Sequence, residues 1–194
     1  MLAKVRHALA LRISKFPTTL LVKTGISPNA LTIFGFATIL VVAWVLSTGR
    51  FLLGGFLVLL TASLDFLDGA LARATGRSTK FGAFLDSSLD RYSDAALFLG
   101  LLAYYASKGS SYYQIVLIGA ALTGSLATSY TRARAEALGV KGEVGLFTRT
   151  ERIVLLAIGL IANQMIVILW IIAVLSNFTA LQRIYHVWRQ SGGK

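Results

Sequence analysis

The chain has 194 residues, 56 % hydrophobic and only 14 % charged, with a mean hydropathy of +0.71 and a formal net charge of +11. That composition leaves no room for a separate soluble domain and points to a membrane protein, whose basic excess serves topology rather than nucleic acid. There are no cysteines, so disulfides, thiolate metal sites and a cysteine nucleophile are excluded; His7 and His186 lie near opposite ends, which argues against a histidine-based site.

In residues 2–16, Leu2, Val5, Leu9, Ile13 and Phe16 recur at helical spacing with Lys4, Arg6, Arg12 and Lys15 between them. This pattern predicts an amphipathic helix within 1–20, lying in an anionic membrane surface. A secretory signal would need an unbroken apolar run, which Arg12 and Lys15 interrupt. Pro17 and then Ser27-Pro28 punctuate the next stretch, and the latter pair is a start signal for a first membrane helix over about 29–46. A second helix is predicted over 51–74, with Asp65 and Asp68 at its distal end. A third runs over 81–107, with Asp86 and Asp90 near its start. A fourth, over 112–137, ends in Tyr130, Arg132, Arg134 and Glu136. The linker 138–145 is rich in glycine and charge.

The last part admits two readings. Residues 153–175 fit one span, and 147–162 with 165–187 fit two helices hinged at Asn163-Gln164. With a cytoplasmic N-terminus and six spans, every lysine and arginine except Arg50 and Lys108 falls on the cytoplasmic side. Five spans would put Arg183, Arg189 and Lys194 outside. The positive-inside rule therefore favours six. The expectation is one all-α membrane domain over 1–194, six transmembrane helices preceded by an interfacial helix, in the cell membrane.

Residues 65–90 carry half of the eight acidic residues: Asp65, Asp68, Asp86 and Asp90. Asp94 lies just beyond, either extending the group or pairing with a nearby arginine such as Arg91, and is left out of the metal set. Helical spacing puts Asp65 and Asp68 on one face, and Asp86, Asp90 and Asp94 on one face of the next helix. A turn through Gly76 and Ser78 lets the two helices run antiparallel, so the carboxylates converge. Like charges so placed cannot all ionise without compensation, and at mid-membrane depth each costs roughly 2.5–3.5 kcal/mol. Protonation is one remedy and hard divalent cations with oxygen ligands are the other. A set of Asp with no His or Cys points to Mg²⁺, Mn²⁺ or Ca²⁺ rather than zinc. Solvated helix ends would explain scattered Asp, but not two stripes beside apolar runs. All the acidic residues fall on the cytoplasmic side, so the chemistry is expected at that interface.

Asp65, Asp68, Gly69, Ala72, Arg73, Gly82, Asp86 and Asp90 stand at spacings that resemble the signature of the CDP-alcohol phosphotransferase family at every position. The six-span layout extends the resemblance over essentially the whole chain. The resemblance implies transfer of a phosphatidyl-type group from a CDP-lipid to an alcohol, with release of CMP. It implies two Mg²⁺ or Mn²⁺ ions on Asp65, Asp68, Asp86 and Asp90, and Asp90 as general base. It implies a nucleotide site from Asn29, Thr32, Asp65, Asp68, Gly69, Ala72, Arg73 and Gly82, and a homodimer. The chemistry agrees: a pyrophosphate needs neutralising charge, Arg73 suits a phosphate, and Gly69 and Gly82 remove side chains where a nucleotide would approach. Helix packing is the alternative role of these glycines, and capping that of Asn29 and Thr32.

The acceptor is read from a second, basic group. Arg132 and Arg134 end the fourth helix, Arg149 and Arg152 start the fifth, and Arg183 lies near the end of the sixth. Such a pocket suits an acceptor with its own phosphate and argues against choline, which prefers an aromatic cage. Lipid anchoring is the bland alternative. The text KFGAFLDSSLDRYSDA, with YTRARAEALGV and VGLFTRTER, resembles the inositol-phosphate branch of the family. Glycerol 3-phosphate is the alternative acceptor, although its synthases carry Pro in place of Ser87. An ion or solute transporter is the rival class, since intramembrane carboxylates also mark conduits. The nearly pure apolar outer halves of the helices speak against it. A non-catalytic lipid-binding scaffold is the third reading.

Overall fold

A computed structural model describes residues 26–75, 79–109, 111–140 and 144–192, apart from the side chains of 66–70 and 72–74. The predicted helix within 1–20 lies outside the described residues, as does the turn at Gly76 and Ser78. The described residues form an all-helical fold: α1 (Pro28–Ser47), α2 (Phe51–Ala74), α3 (Lys80–Ser107), α4 (Tyr112–Ala137), α5 (Arg149–Ile161) and α6 (Met165–Gln190).

The helix ends follow from local chemistry. The Ser27 hydroxyl accepts the Ala30 N–H at 3.2 Å, with Pro28 in the first helical position, so α1 starts where the sequence signals it. At the end of α4, Gly139 takes φ 75°. Its N–H donates to Glu136 O and that of Val140 to Ala135 O, both at 3.0 Å. That pair of bonds is a Schellman motif. The same motif separates α5 from α6. Asn163 has φ 54° and donates to Leu160 O, and Gln164 N–H donates to Gly159 O at 2.9 Å. Of the two readings of the C-terminal part, two helices broken at Asn163-Gln164 is correct. At the start of α5, the Glu151 carboxylate accepts the Thr148 N–H at 2.9 Å, one half of a capping box.

The chain divides into two compact units. One takes in the described residues 26–38, 60–75 and 79–90, and so holds the starts of α1 and α3 and the distal part of α2. Leu31, Thr61 and Leu71 are buried there. The other takes in 39–59 and everything from Arg91 onward. Its core is aliphatic and closely filled by Val42, Leu46, Val58, Leu97, Leu101, Ile118, Leu156, Leu160, Leu169 and Ile172. Helix α6 packs along α4 and against α5. The α4–α6 seam is built from small residues. A Cβ on Gly124 would lie 2.9 Å from Asn177 Cγ, so only glycine admits this approach. The Thr128 hydroxyl is 2.8 Å from both Gly124 O and Ser176 O, and Asn177 Nδ2 donates to Ala120 O and Ala173 O.

Two helices, α1 and α6, have the length and apolarity to cross a membrane, with mean hydropathies of 2.2 and 2.0. Large apolar side chains stand exposed on several helices, among them Trp44, Phe56, Leu99, Val116 and Trp170.

Candidate active site

The first unit holds the acidic residues of the signature. Asp65, on α2, is half-buried, and so are Asp86 and Asp90, one helical turn apart on α3. A Cβ on Gly35 of α1 would lie 3.2 Å from Asp65 Oδ1. Glycine there lets α1 come close to that carboxylate. The starts of α1 and α3 also meet. A Cβ on Gly82 would lie 2.9 Å from Asn29 Oδ1 and 3.0 Å from Thr79 Oγ1. The Thr79 hydroxyl accepts the Gly82 N–H at 2.9 Å and so starts α3. Thr32 donates its hydroxyl to Pro28 O at 3.1 Å. Asn29 and Gly82, set far apart in the sequence, are thus neighbours. Asp68, Gly69, Ala72 and Arg73 lie on α2, with side chains outside the description. Among the described residues no three His, Cys, Asp or Glu side chains gather as a metal site; Asp68 is not one of them.

The donor set still suits a hard cation. It consists of carboxylate oxygens alone, the ligand type that hard divalent cations take. Gly35 was not singled out from the sequence. The available signal was its place three residues after Thr32, on the same face of α1.

The second unit gathers the arginines. Asp94 is buried and accepts hydrogen bonds from Arg149 Nε at 3.1 Å and from Arg152 Nη2 at 3.0 Å. Its partners therefore come from α5, and not from the adjacent Arg91. Arg152 is buried as well, and its Nη1 has no hydrogen-bond partner among the described residues. Arg183 is buried, donating Nε to Val144 O at 2.7 Å and Nη1 to Thr128 O. Arg132 and Arg152 lie close enough to Arg183 to repel its charge, and Glu136 close enough to attract it. Arg132 pairs with Glu136 at 2.9 Å on the exposed side of α4. Three helices thus bring Arg132, Arg152 and Arg183 together, with Arg149 joined through Asp94. Arg134 is exposed and, two residues beyond Arg132, points to another side of α4. Gly145, at φ 142°, completes the group. A Cβ on it would lie 2.6 Å from Thr179 Cγ2 and 3.2 Å from Arg183 Nε, so the segment before α5 closes over Arg183 because it has no side chain there.

An all-helical chain that collects carboxylates in one unit and guanidiniums in the other has the parts of a metal-assisted enzyme acting on phosphate groups. A profile of CDP-alcohol phosphatidyltransferases matches residues 25–183, and the chain belongs to that family. It is 38 % identical to the archaetidylinositol phosphate synthase of Pyrococcus horikoshii, over 95 % of both chains. It is 39 % identical to the phosphatidylinositol phosphate synthase of Mycobacteroides abscessus, over 89 % of this chain and 82 % of that one. The solved phosphatidylinositol phosphate synthase of Mycobacterium tuberculosis with CDP-DAG bound superposes with a TM-score of 0.85 at 33 % identity, covering 91 % and 94 % of the two chains. The same enzyme in complex with manganese and citrate gives 0.83 at 32 %, covering 90 % and 88 %. This chain is accordingly a phosphatidyltransferase of phospholipid synthesis that depends on a divalent metal, not a transporter or a scaffold.

Proposed function

We propose that this enzyme transfers a phosphatidyl group from a CDP-lipid, diacylglycerol-based or its archaeal ether analogue, to inositol 1-phosphate, with release of CMP. The observation that carries the acceptor is the buried Asp94–Arg149–Arg152 group, in which one nitrogen of Arg152 has no partner among the described residues. Arg132 and Arg183 add charge beside it. A buried arginine with a donor nitrogen unpartnered among the described residues suits an acceptor bearing a phosphate and suits free inositol or choline poorly. Two relatives named for inositol phosphate products support the same choice.

In this reading Asn29, Thr32, Gly69, Ala72, Arg73 and Gly82 seat the CDP moiety, with Asp65 and Asp68 beside it. Arg73 pairs with a phosphate of the donor. Asp65, Asp68, Asp86 and Asp90 hold two Mg²⁺ or Mn²⁺ ions, which when bound neutralise the pyrophosphate and favour departure of CMP. Asp90 takes the proton of the acceptor hydroxyl, whose oxygen attacks the lipid-side phosphorus. Arg132, Arg149, Arg152 and Arg183 hold the acceptor phosphate, and Arg134, on another side of α4, stands apart from them. The six helices are spans, their exposed apolar side chains facing lipid, with both residue groups at the cytoplasmic face and a homodimer as the working form.

The test is CMP release from purified protein given CDP-diacylglycerol, Mg²⁺ or Mn²⁺, and a panel of acceptors. Release with inositol 1-phosphate and not with inositol is expected, and a chelator should abolish it. Release with glycerol 3-phosphate alone would keep the reaction and replace the acceptor.

A further inference from the structure

Asp94 is a carboxylate for which the chemistry above has no use, yet it is among the most deeply buried charges of the chain. Its side chain is 4 % exposed, and it binds two arginines that start α5. The two differ in setting, for the Arg149 side chain is 26 % exposed and that of Arg152 only 3 %. A guanidinium keeps its proton even when buried, and its fork is planar. With Nη2 on Asp94, Nη1 is the nitrogen left to bind elsewhere. That nitrogen has no acceptor among the described residues. A buried donor left in this state is costly, and an anionic oxygen relieves it. The cavity bounded by Asp94, Leu97, Phe98, Arg152, Ile153 and Leu156 measures about 10 Å³. It admits at most one water, so no phosphate reaches Asp94 or, from this side, Arg152, and the acceptor must approach Arg152 from the side of Arg183.

We propose that Asp94 is a positioning residue for the acceptor. It touches neither metal nor substrate, and it aims Arg152, with Arg149 beside it, at the acceptor's phosphate. This inference rests on the acceptor reading given above.

The experiment measures KM for inositol 1-phosphate and, separately, for CDP-diacylglycerol, in the full-length wild type and in Asp94→Asn, Asp94→Glu and the double variant Asp94→Asn/Arg149→Gln. Asparagine keeps the shape and loses the charge. The double variant keeps the net charge should the single one fold poorly, and Arg149→Gln alone is the control for its lost guanidinium: the double variant must exceed that control in acceptor KM. In Asp94→Asn or the double variant, the acceptor KM should rise at least tenfold and the donor KM should stay within about twofold. Asp94→Glu should recover part of the loss. A purely structural tie between α3 and α5 would move both KM values and the melting temperature together, or neither KM, and either result overturns the proposal. Should the wild type prefer an unphosphorylated acceptor, the acceptor reading fails and takes this inference with it. Should it prefer glycerol 3-phosphate, the same comparison is made with that acceptor and reads the same way.

Discussion

At the scale of single residues, the assigned roles separate by what each substitution should spare. Asp90→Asn keeps volume and hydrogen-bonding shape but removes the base and one of the four carboxylates proposed to hold metal, so the assay is run at saturating Mn²⁺. Turnover should fall roughly 100- to 10,000-fold, the usual worth of general base catalysis. Binding of the CDP-lipid, followed by its protection against thermal unfolding, should persist. Turnover within a few-fold of wild type would remove Asp90 from the base role. Gly82 makes a different prediction. Its missing Cβ is what lets Asn29 and Thr79 sit beside it. Gly82→Ala should displace Asn29 by a few tenths of an ångström and raise the donor KM several-fold. The acceptor KM should barely move, the reverse of the pattern expected at Asp94. The Asp pattern of 65–90 was readable because within each pair, Asp65 with Asp68 and Asp86 with Asp90, the residues lie one helical turn apart. The partners of Asp94 were not, because Arg149 and Arg152 follow it by 55 and 58 residues. Sequence neighbourhood offered Arg91 instead, and only the packing of α5 reveals the true pair.

At the scale of elements, helix existence was legible and helix breaks were less so. Apolar runs separated by Thr48-Gly49-Arg50 or by Lys108 delimit α1 to α4 almost to the residue. Nothing in the apolar pattern of 153–175 demands an interruption, and the charge distribution rather than the periodicity favoured one. The physical cause is Asn163, the only non-glycine residue with positive φ among those described. Asparagine tolerates that conformation and a β-branched residue does not. Asn163→Val should therefore destabilise the protein by about 1–2 kcal/mol, while Asn163→Gly should be neutral or slightly stabilising. Thermal unfolding in detergent gives the comparison. Equal melting points for the two variants would mean that the break is set by packing of α5 on α6 and not by its backbone. The basic linker posed the converse problem. Its glycines suggested only a loop, whereas Gly145 lies against Arg183 with the neighbouring carbonyl of Val144 accepting a hydrogen bond from it.

At the scale of the whole molecule, the basic residues and the exposed apolar ones make a joint statement. Helices with Trp44, Phe56, Leu99, Val116 and Trp170 on their outer surfaces need an apolar surround. Under the proposed six spans, the positive-inside rule sets the orientation and leaves only Arg50 and Lys108 of the lysines and arginines on the far side. The absence of native cysteine allows this to be tested without background. Single cysteines at Arg50 and Lys108 should react with a membrane-impermeant maleimide in intact cells. Single cysteines at Leu138 and Ser191 should react only after the membrane is opened. Leu138 and Ser191 lie at the ends of α4 and α6, so their shared protection tests the helix count as well as the orientation. Five spans would protect Leu138 but expose Ser191, because an odd number of crossings puts the two chain ends on opposite sides. Labelling at Ser191 in intact cells would therefore overturn six spans. It would also move Arg183, just before it on α6, to the face opposite the carboxylates and out of any shared reaction.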